Sequence, residues 1–267
     1  MAHAADPIVQ KITALPGTIT SAKQAKEFHK AIEQLQNYDA GKHGPFPAAA
    51  ADALTPKLDG IIRSTIANDK KASFEDEVLF AIKGIVTLMT PKGIDTVIHA
   101  IRAGYAADNF IWHIVLGILA EYNHPGVEKL FTEMKRELPD GAIVVPLLEA
   151  ANTACIEHGV KIHPFDSDPG QKILLTMLEE PPATARQASD DGDDEDMEDE
   201  ALGPNPPAIT AIAFLDPARR APLLEAAAKV TNDPRLRLEY NWVRAKLGDP
   251  AGIAGMVLFL FVTPVIR

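Results

Sequence analysis

At 267 residues with 46% apolar side chains, the chain has the hydrophobic mass for one large core or two smaller ones, which excludes a wholly disordered protein. Its formal net charge of −11 is local, because the nine carboxylates of residues 190–200 account for all but two of those charges. No basic stripe that would neutralise phosphates is visible, so nucleic acid is not an expected partner. A single cysteine, Cys155, excludes an internal disulfide framework and suits a reducing compartment.

Residues 1–20 carry neither a signal-peptide apolar core nor an Arg-rich transit pattern, and are expected to form a flexible N-terminal segment. Ser21 opens a helical pattern with Phe28, Ile32 and Leu35 at helix spacing. "GKHGPFP" then breaks the chain, and a second helical region runs from Ala48 to about Ile66. In "SFEDEVLFAIKGIVTLM", Ser73 and Asp76 have capping-box spacing, and Phe74, Val78, Ile82 and Ile85 share one face. No segment alternates with period two between hairpin turns, so no sheet is expected.

Punctuation organises the rest. X-Pro pairs recur where helices should start: Thr90-Pro91, His124-Pro125, Asp168-Pro169, Asp216-Pro217, Asp233-Pro234 and Asp249-Pro250. An Asp or Thr oxygen accepts an orphan N–H at the N-cap, and proline at the first helical position has none to leave unpaired. The separations imply about 17 residues per helix with its turn, and about 34 per helix pair.

An internal repeat follows these starts. The apolar quartet of "PKGIDTVIHAI" is Ile94, Val97, Ile98 and Ile101; in "HPGVEKLFTEM" it is Val127, Leu130, Phe131 and Met134. In "PAGIAGMVLFL" it is Ile253, Met256, Val257 and Leu260, and a glycine (Gly93, Gly126, Gly252) precedes the first member each time. "DPGQKILLTML" matches at Leu174, Leu175 and Leu178, with Gln171 in the odd place. The preceding helices correspond more loosely: Ile111, Val115, Ile118 and Tyr122 with Leu236, Tyr240, Val243 and Leu247. A helix pair of this size cannot bury its own stripe, so neighbours must stack.

The stretches "EYNWVRAKLGDPAGIAGMV" (239–257) and "AEYNHPGVEKLF" (120–131) resemble the HEAT-repeat superfamily, particularly its short bacterial repeats. The resemblance covers about 73–180 and 207–261 and is poor before 73. The signature phrases of tetratricopeptide and ankyrin repeats are absent. It implies an all-α fold, an α-solenoid of antiparallel helix pairs in a HEAT-like or ARM-like superhelix. The helical array would occupy 21–180 and continue over 207–267, with 181–206 as a disordered acidic inter-repeat loop. It also implies an extended face that binds another macromolecule, though a fold alone supplies no function.

Chemistry-bearing clusters are sparse. Cys155, His158 and His163 invite a metal reading, but His163 lies past Gly159 in a turn and no fourth ligand is near; a buried Cys with two surface histidines is the plainer reading. The repeated His-Glu pairs of HEAT-like di-iron hydroxylases are missing. Trp112 and His113 could present an aromatic anchor, although packing of Trp112 between repeats is favoured. "DSDPG" at 166–170 lacks the central Gly and final Glu of a calcium loop. Neither a phosphate loop nor a nucleophile elbow occurs. No metal or other cofactor and no catalytic residue are expected; a lyase or hydroxylase of the HEAT-like type is the remote alternative.

The expected function is a non-catalytic protein–protein interaction scaffold or adaptor. Its candidate contact strip is Asp95, His99 and Arg102 on one second helix and Glu128, Lys129 and Lys135 on the next, although mixed charge is typical of any solvated face. The alternative is an accessory or regulatory subunit whose acidic run, including Asp193, Asp194, Glu195 and Asp196, binds or masks a basic partner. The plainer reading of that run is a solvated, extended spacer. The last helix is apolar on every side, so Met256, Phe259 and Phe261 are candidates for an association surface, including self-association. Its apolar run, 253–262, is about half of the roughly 20 residues needed to span a bilayer, so a membrane is not expected and the cytoplasm is.

Overall fold

The computed structural model describes residues 5–38, 40–43, 45–71, 73–105, 111–121, 124–138, 143–179 and 205–262. Among the described residues the regular elements are all helical. The acidic run, with Asp193, Asp194, Glu195 and Asp196, lies outside them, as do residues 181–204 of the disordered loop expected over 181–206; Asn205 and Pro206 instead open a helix. The chain forms two compact units, Met1–Gly159 and Val160–Arg267, so the division falls ahead of the acidic segment.

The first unit begins earlier than the sequence pattern indicates. Helix α1 (Asp6–Thr13) has Pro7 in its first turn, where a missing N–H costs nothing, and buries Ile8 and Ile12. It packs on α2 (Ala22–Gln36) and α4 (Ala48–Asn68). Ala5, Leu15 and Ile19 are buried as well, and the Ile19 N–H donates to Thr65 Oγ1 at 3.1 Å. Residues 5–20 are therefore not a loose leader. Two isoleucines one turn apart are enough to anchor eight residues, but too few to stand out as a period.

Ser21 caps α2 by accepting the Gln24 N–H, and Phe28, Ile32 and Leu35 are buried as their spacing requires. A short helix, α3 (Ala40–His43), leads to α4. Helix α5 (Glu75–Thr87) starts without the capping box. Its N-cap is Phe74, whose N–H donates to Asp69 Oδ2 at 2.6 Å, so a carboxylate five residues upstream accepts the N-cap N–H in the way expected of Asp76 toward Ser73. Then come α6 (Gly93–Arg102), α7 (Ile111–Glu121), α8 (Val127–Arg136) and α9 (Val144–Glu157).

Packing sorts these helices into two rows. Helices α2, α5, α7 and α9 touch in succession, as do α4, α6 and α8, and α5 joins the rows through α4 and α6. The repeated quartets explain the second row: Ile94, Val97, Ile98 and Ile101 on α6 and Val127, Leu130, Phe131 and Met134 on α8 are all buried. Burying such side chains contributes about 1.5–3 kcal/mol each. Trp112 on α7 is buried too, its indole N–H donating to the Tyr105 carbonyl at 3.1 Å, so it is a core residue and not an anchor for a partner.

The second unit holds α10 (Asp168–Glu179), α11 (Asn205–Ala211) with a 3₁₀ turn over Ile212–Phe214, α12 (Pro217–Lys229), α13 (Pro234–Lys246) and α14 (Pro250–Val262). Helix α10 packs on α11 and α12, α11 on α13, and α13 most extensively on α14. Three Asp-Pro starts behave as their chemistry requires. Asp216, Asp233 and Asp249 each accept the N–H two residues on, from Ala218, Arg235 and Ala251, at 2.7–2.9 Å. Asp168 differs: Ser167 accepts the Gly170 N–H instead, at 3.1 Å.

The two remaining X-Pro sites start their helices later than expected. The Thr90 hydroxyl is paired with Thr55 at 2.8 Å, leaving α6 to begin at Gly93. At the other, His124 Nδ1 accepts the Gly126 N–H at 3.0 Å and α8 begins at Val127. An imidazole thus does here what a carboxylate does in the second unit.

Candidate interaction surface

The strip read from the sequence is assembled by α4, α6 and α8 lying side by side. On α4, Asp59 accepts from Arg63 Nε and from Thr96 of α6, both at 2.6 Å. Arg63 also reaches the Asp95 carbonyl at 3.2 Å. From α6, Asp95 pairs with Lys129 of α8. Arg102 pairs with Glu133 at 3.0 Å and Glu137 at 3.3 Å, and Arg136 closes on Glu133 at 3.3 Å. Ion pairs thus join α6 to α8, while the Thr96 hydroxyl and the Asp95 carbonyl tie α6 to the charges of α4, through residues 31 to 37 positions apart.

All six strip residues sit on α6 and α8. Asp95, Arg102, Glu128 and Lys129 are exposed, whereas His99 and Lys135 are half-buried. Partial burial and the neighbouring Arg63 hold the His99 imidazole below its ordinary pKa, opposed by Asp59. With His99 held below its ordinary pKa, the strip carries two carboxylates, Asp95 and Glu128, beside three cations, Arg102, Lys129 and Lys135. Exposed ion pairs of this kind are worth at most about 1 kcal/mol each, so the ladder contributes little to stability and leaves a patterned surface of both signs.

Sequence reasoning missed Asp59, Arg63, Glu133, Arg136 and Glu137. The Asp59–Arg63 pair carries a readable signal, since i, i+4 charges on a helix face each other. Pairs between helices depend on the stagger of α6 against α8, and no single-chain pattern encodes it. A second feature it missed is an open groove of 460 Å³ between α2 and α5, lined by Lys26, His29, Lys30, Glu33, Ser73 and Glu77 among others. His29 stacks on Phe80 there, with ring centroids 4.0 Å apart.

The remaining candidates fall apart or move. Cys155 is buried in α9, and burial pushes its thiol up to about 11, a poor nucleophile and a poor ligand. His163 is buried rather than a surface histidine: its Nδ1 lies 3.3 Å from the Phe165 N–H, and its ring stacks with Phe214. Among the described residues no three His, Cys, Asp or Glu side chains converge as metal ligands. The side chains of His113, Phe259 and Phe261 lie outside the description, and Met256 is half-buried. Among the described side chains of α14 the exposed large residues are Ile253, Val257 and Leu258. Among the described residues no helix is long and apolar enough to cross a membrane.

Compared with known proteins, the chain matches no family model, no curated protein and no solved structure.

Proposed function

We propose that this chain is a binding scaffold of the HEAT-like α-solenoid kind, which holds another protein against the ridge formed by α4, α6 and α8. One observation carries the reading. Helices α6 and α8 bury their repeated quartets and, with α4 beside them, turn charges of both signs outward, from Arg63 and Asp59 through Asp95 and Arg102 to Lys129 and Glu133. A rigid apolar backing with a patterned charged front selects partners by complementarity, steering encounter and fixing register more than adding raw affinity. His99 and Lys135, half-buried between these charges, sit where a partner would desolvate them. The single buried thiol fits work in the reducing cytoplasm.

The test uses the full chain with reversed charge at Asp95→Lys and Lys129→Glu, made singly and together. Single reversals place like charges across α6 and α8 and abolish partner capture; the double reversal restores the internal pair but presents the wrong pattern, so capture stays lost. Restored capture in the double variant would reduce the strip to a stabilising pair and remove the reading.

A second reading rests on the nine carboxylates of residues 190–200, a density suited to a basic partner. In that case the chain is an accessory subunit whose acidic segment captures or masks the partner. Deleting 181–206 separates the two: capture that survives the deletion belongs to the ridge, and capture that disappears belongs to the segment.

A further inference from the structure

One enclosed histidine ties the end of α7 to the start of α8. The His124 N–H donates to the Leu119 carbonyl at 3.1 Å, its carbonyl accepts the Val127 N–H at 2.9 Å, and its Nδ1 accepts the Gly126 N–H at 3.0 Å. The glycine so held is the one that lies on Ile94, where an added Cβ would fall 2.9 Å from Cγ2. An imidazole lone pair therefore fixes the turn that seats α8 on α6. Helix α8 packs chiefly on α6, so its first turn can lift without disturbing the row of α2, α5, α7 and α9.

The kind of acceptor matters here. At Asp216, Asp233 and Asp249 a carboxylate makes the equivalent bond, and a carboxyl group keeps acceptor capacity even when protonated. An imidazole with two protons has no lone pair left. Protonated His124 would set one N–H against another and place a charge in an enclosed site whose Nε2 has no hydrogen-bond partner among the described residues. The charged and titratable groups at the facing ends of the neighbouring helices are Lys92, Asp95 and His99 of α6 and Glu128 and Lys129 of α8; the described side chains of α7 carry none. None of them steadies a proton on the imidazole, since burial alone takes its pKa from 6.5 to about 4.

We propose that His124 is an acid-operated latch on the ridge: protonation of its imidazole breaks the Gly126 bond and lifts the first turn of α8 off α6, while Phe131 and Met134 stay seated. Opening carries Lys129 away from Asp95 and so takes apart the face that α6 and α8 share. The regulatory role rests on the scaffold reading, in which that face holds the partner. The open turn exposes the imidazole and returns its proton affinity to the ordinary value. The closed form is therefore favoured above pH 6.5, and the ratio of open to closed rises by up to about tenfold per pH unit from there down to about 4.

Amide hydrogen exchange of the full chain, resolved by residue and corrected for the intrinsic rate, tests the latch between pH 7 and 5, where carboxylates stay ionised. The amides of Gly126, Val127 and Leu130, all hydrogen-bonded in the closed form, are expected to lose protection by about twentyfold. Low urea leaves their exchange unchanged, the mark of a local opening, but speeds exchange in α9. His124→Asn keeps an acceptor and cannot titrate, so it is expected to abolish the pH response; should it fail to fold, the pH and urea dependence of the unaltered chain still decides. Protection that does not change with pH, a loss with the same urea dependence as α9, or a response that survives in His124→Asn would overturn the proposal. No partner is present in this experiment, so its outcome is separate from that of the charge reversals, which test the ridge reading by itself.

Discussion

Gly126 and Ile94 approach so closely that a Cβ on the glycine would lie 2.7 Å from the Ile94 Cβ. This contact sets α8 against α6, and it explains why a glycine precedes that quartet. Gly126→Ala is expected to force the helices apart at a cost of about 1–3 kcal/mol. Gly117→Ala, on the exposed side of α7 with nothing within 4 Å, is expected to raise stability by about 0.5–1 kcal/mol through helix propensity alone. Urea unfolding midpoints of the two variants should therefore move in opposite directions.

His124 makes the first unit acid-sensitive. It is 1% exposed, and burial lowers its pKa from 6.5 to about 4. Its Nδ1 accepts from Gly126, while Nε2, which then carries the proton, has no hydrogen-bond partner among the described residues. The unfolded chain takes up a proton below pH 6.5 and the folded chain does not until about 4. Stability contributed by this residue is therefore complete above 6.5 and falls as the pH drops toward 4, by on the order of 3 kcal/mol. His124→Asn keeps an acceptor for Gly126 and cannot titrate, so its stability profile should be flatter between pH 6.5 and 4. An unchanged slope would assign the acid sensitivity elsewhere.

Cys155 should be inert in the folded chain. Its thiol is pushed from 9.0 up to about 11, so at pH 8 its thiolate is about a hundredfold scarcer than in unfolded protein. Alkylation followed by intact mass should be slow under native conditions and rapid in denaturant. Fast native labelling would mean that α9 opens.

The Asp95–Lys129 pair should matter little to folding. Asp95→Ala is expected to change stability by less than about 1 kcal/mol, because both partners are exposed and screened. A loss of partner capture in that variant, at an unchanged unfolding midpoint, would then report recognition.

The helical class and the buried quartets were legible because an apolar face repeated every 33 residues has no other economical reading. Helix α1 was not, since two isoleucines make no period. The start of α5 was misread because Asp69 holds the Phe74 N–H and moves the N-cap one residue past Ser73, which the spacing of Ser73 and Asp76 does not encode. At the strip, the residues of α6 and α8 were readable as the gaps between buried positions. Their ion-pair partners were not, because Arg102 meets Glu133 only through the stagger of two helices. On α14 the apolar surplus was visible, but Ile253, Val257 and Leu258 emerged as its exposed members only once Gly252 and Gly255 showed which side meets α13.

The central claim is that the ridge of α4, α6 and α8 is the face that meets a partner. Its most direct test is a photo-crosslinking side chain placed singly at His99 and at Lys135 in the full chain, with Glu27 on the exposed side of α2 as the comparison site. The account predicts that one protein crosslinks in stoichiometric yield at both ridge positions and not at Glu27, and that Asp95→Lys removes the product. Equal labelling at Glu27, or no product at either ridge position while a partner still co-purifies, would contradict it.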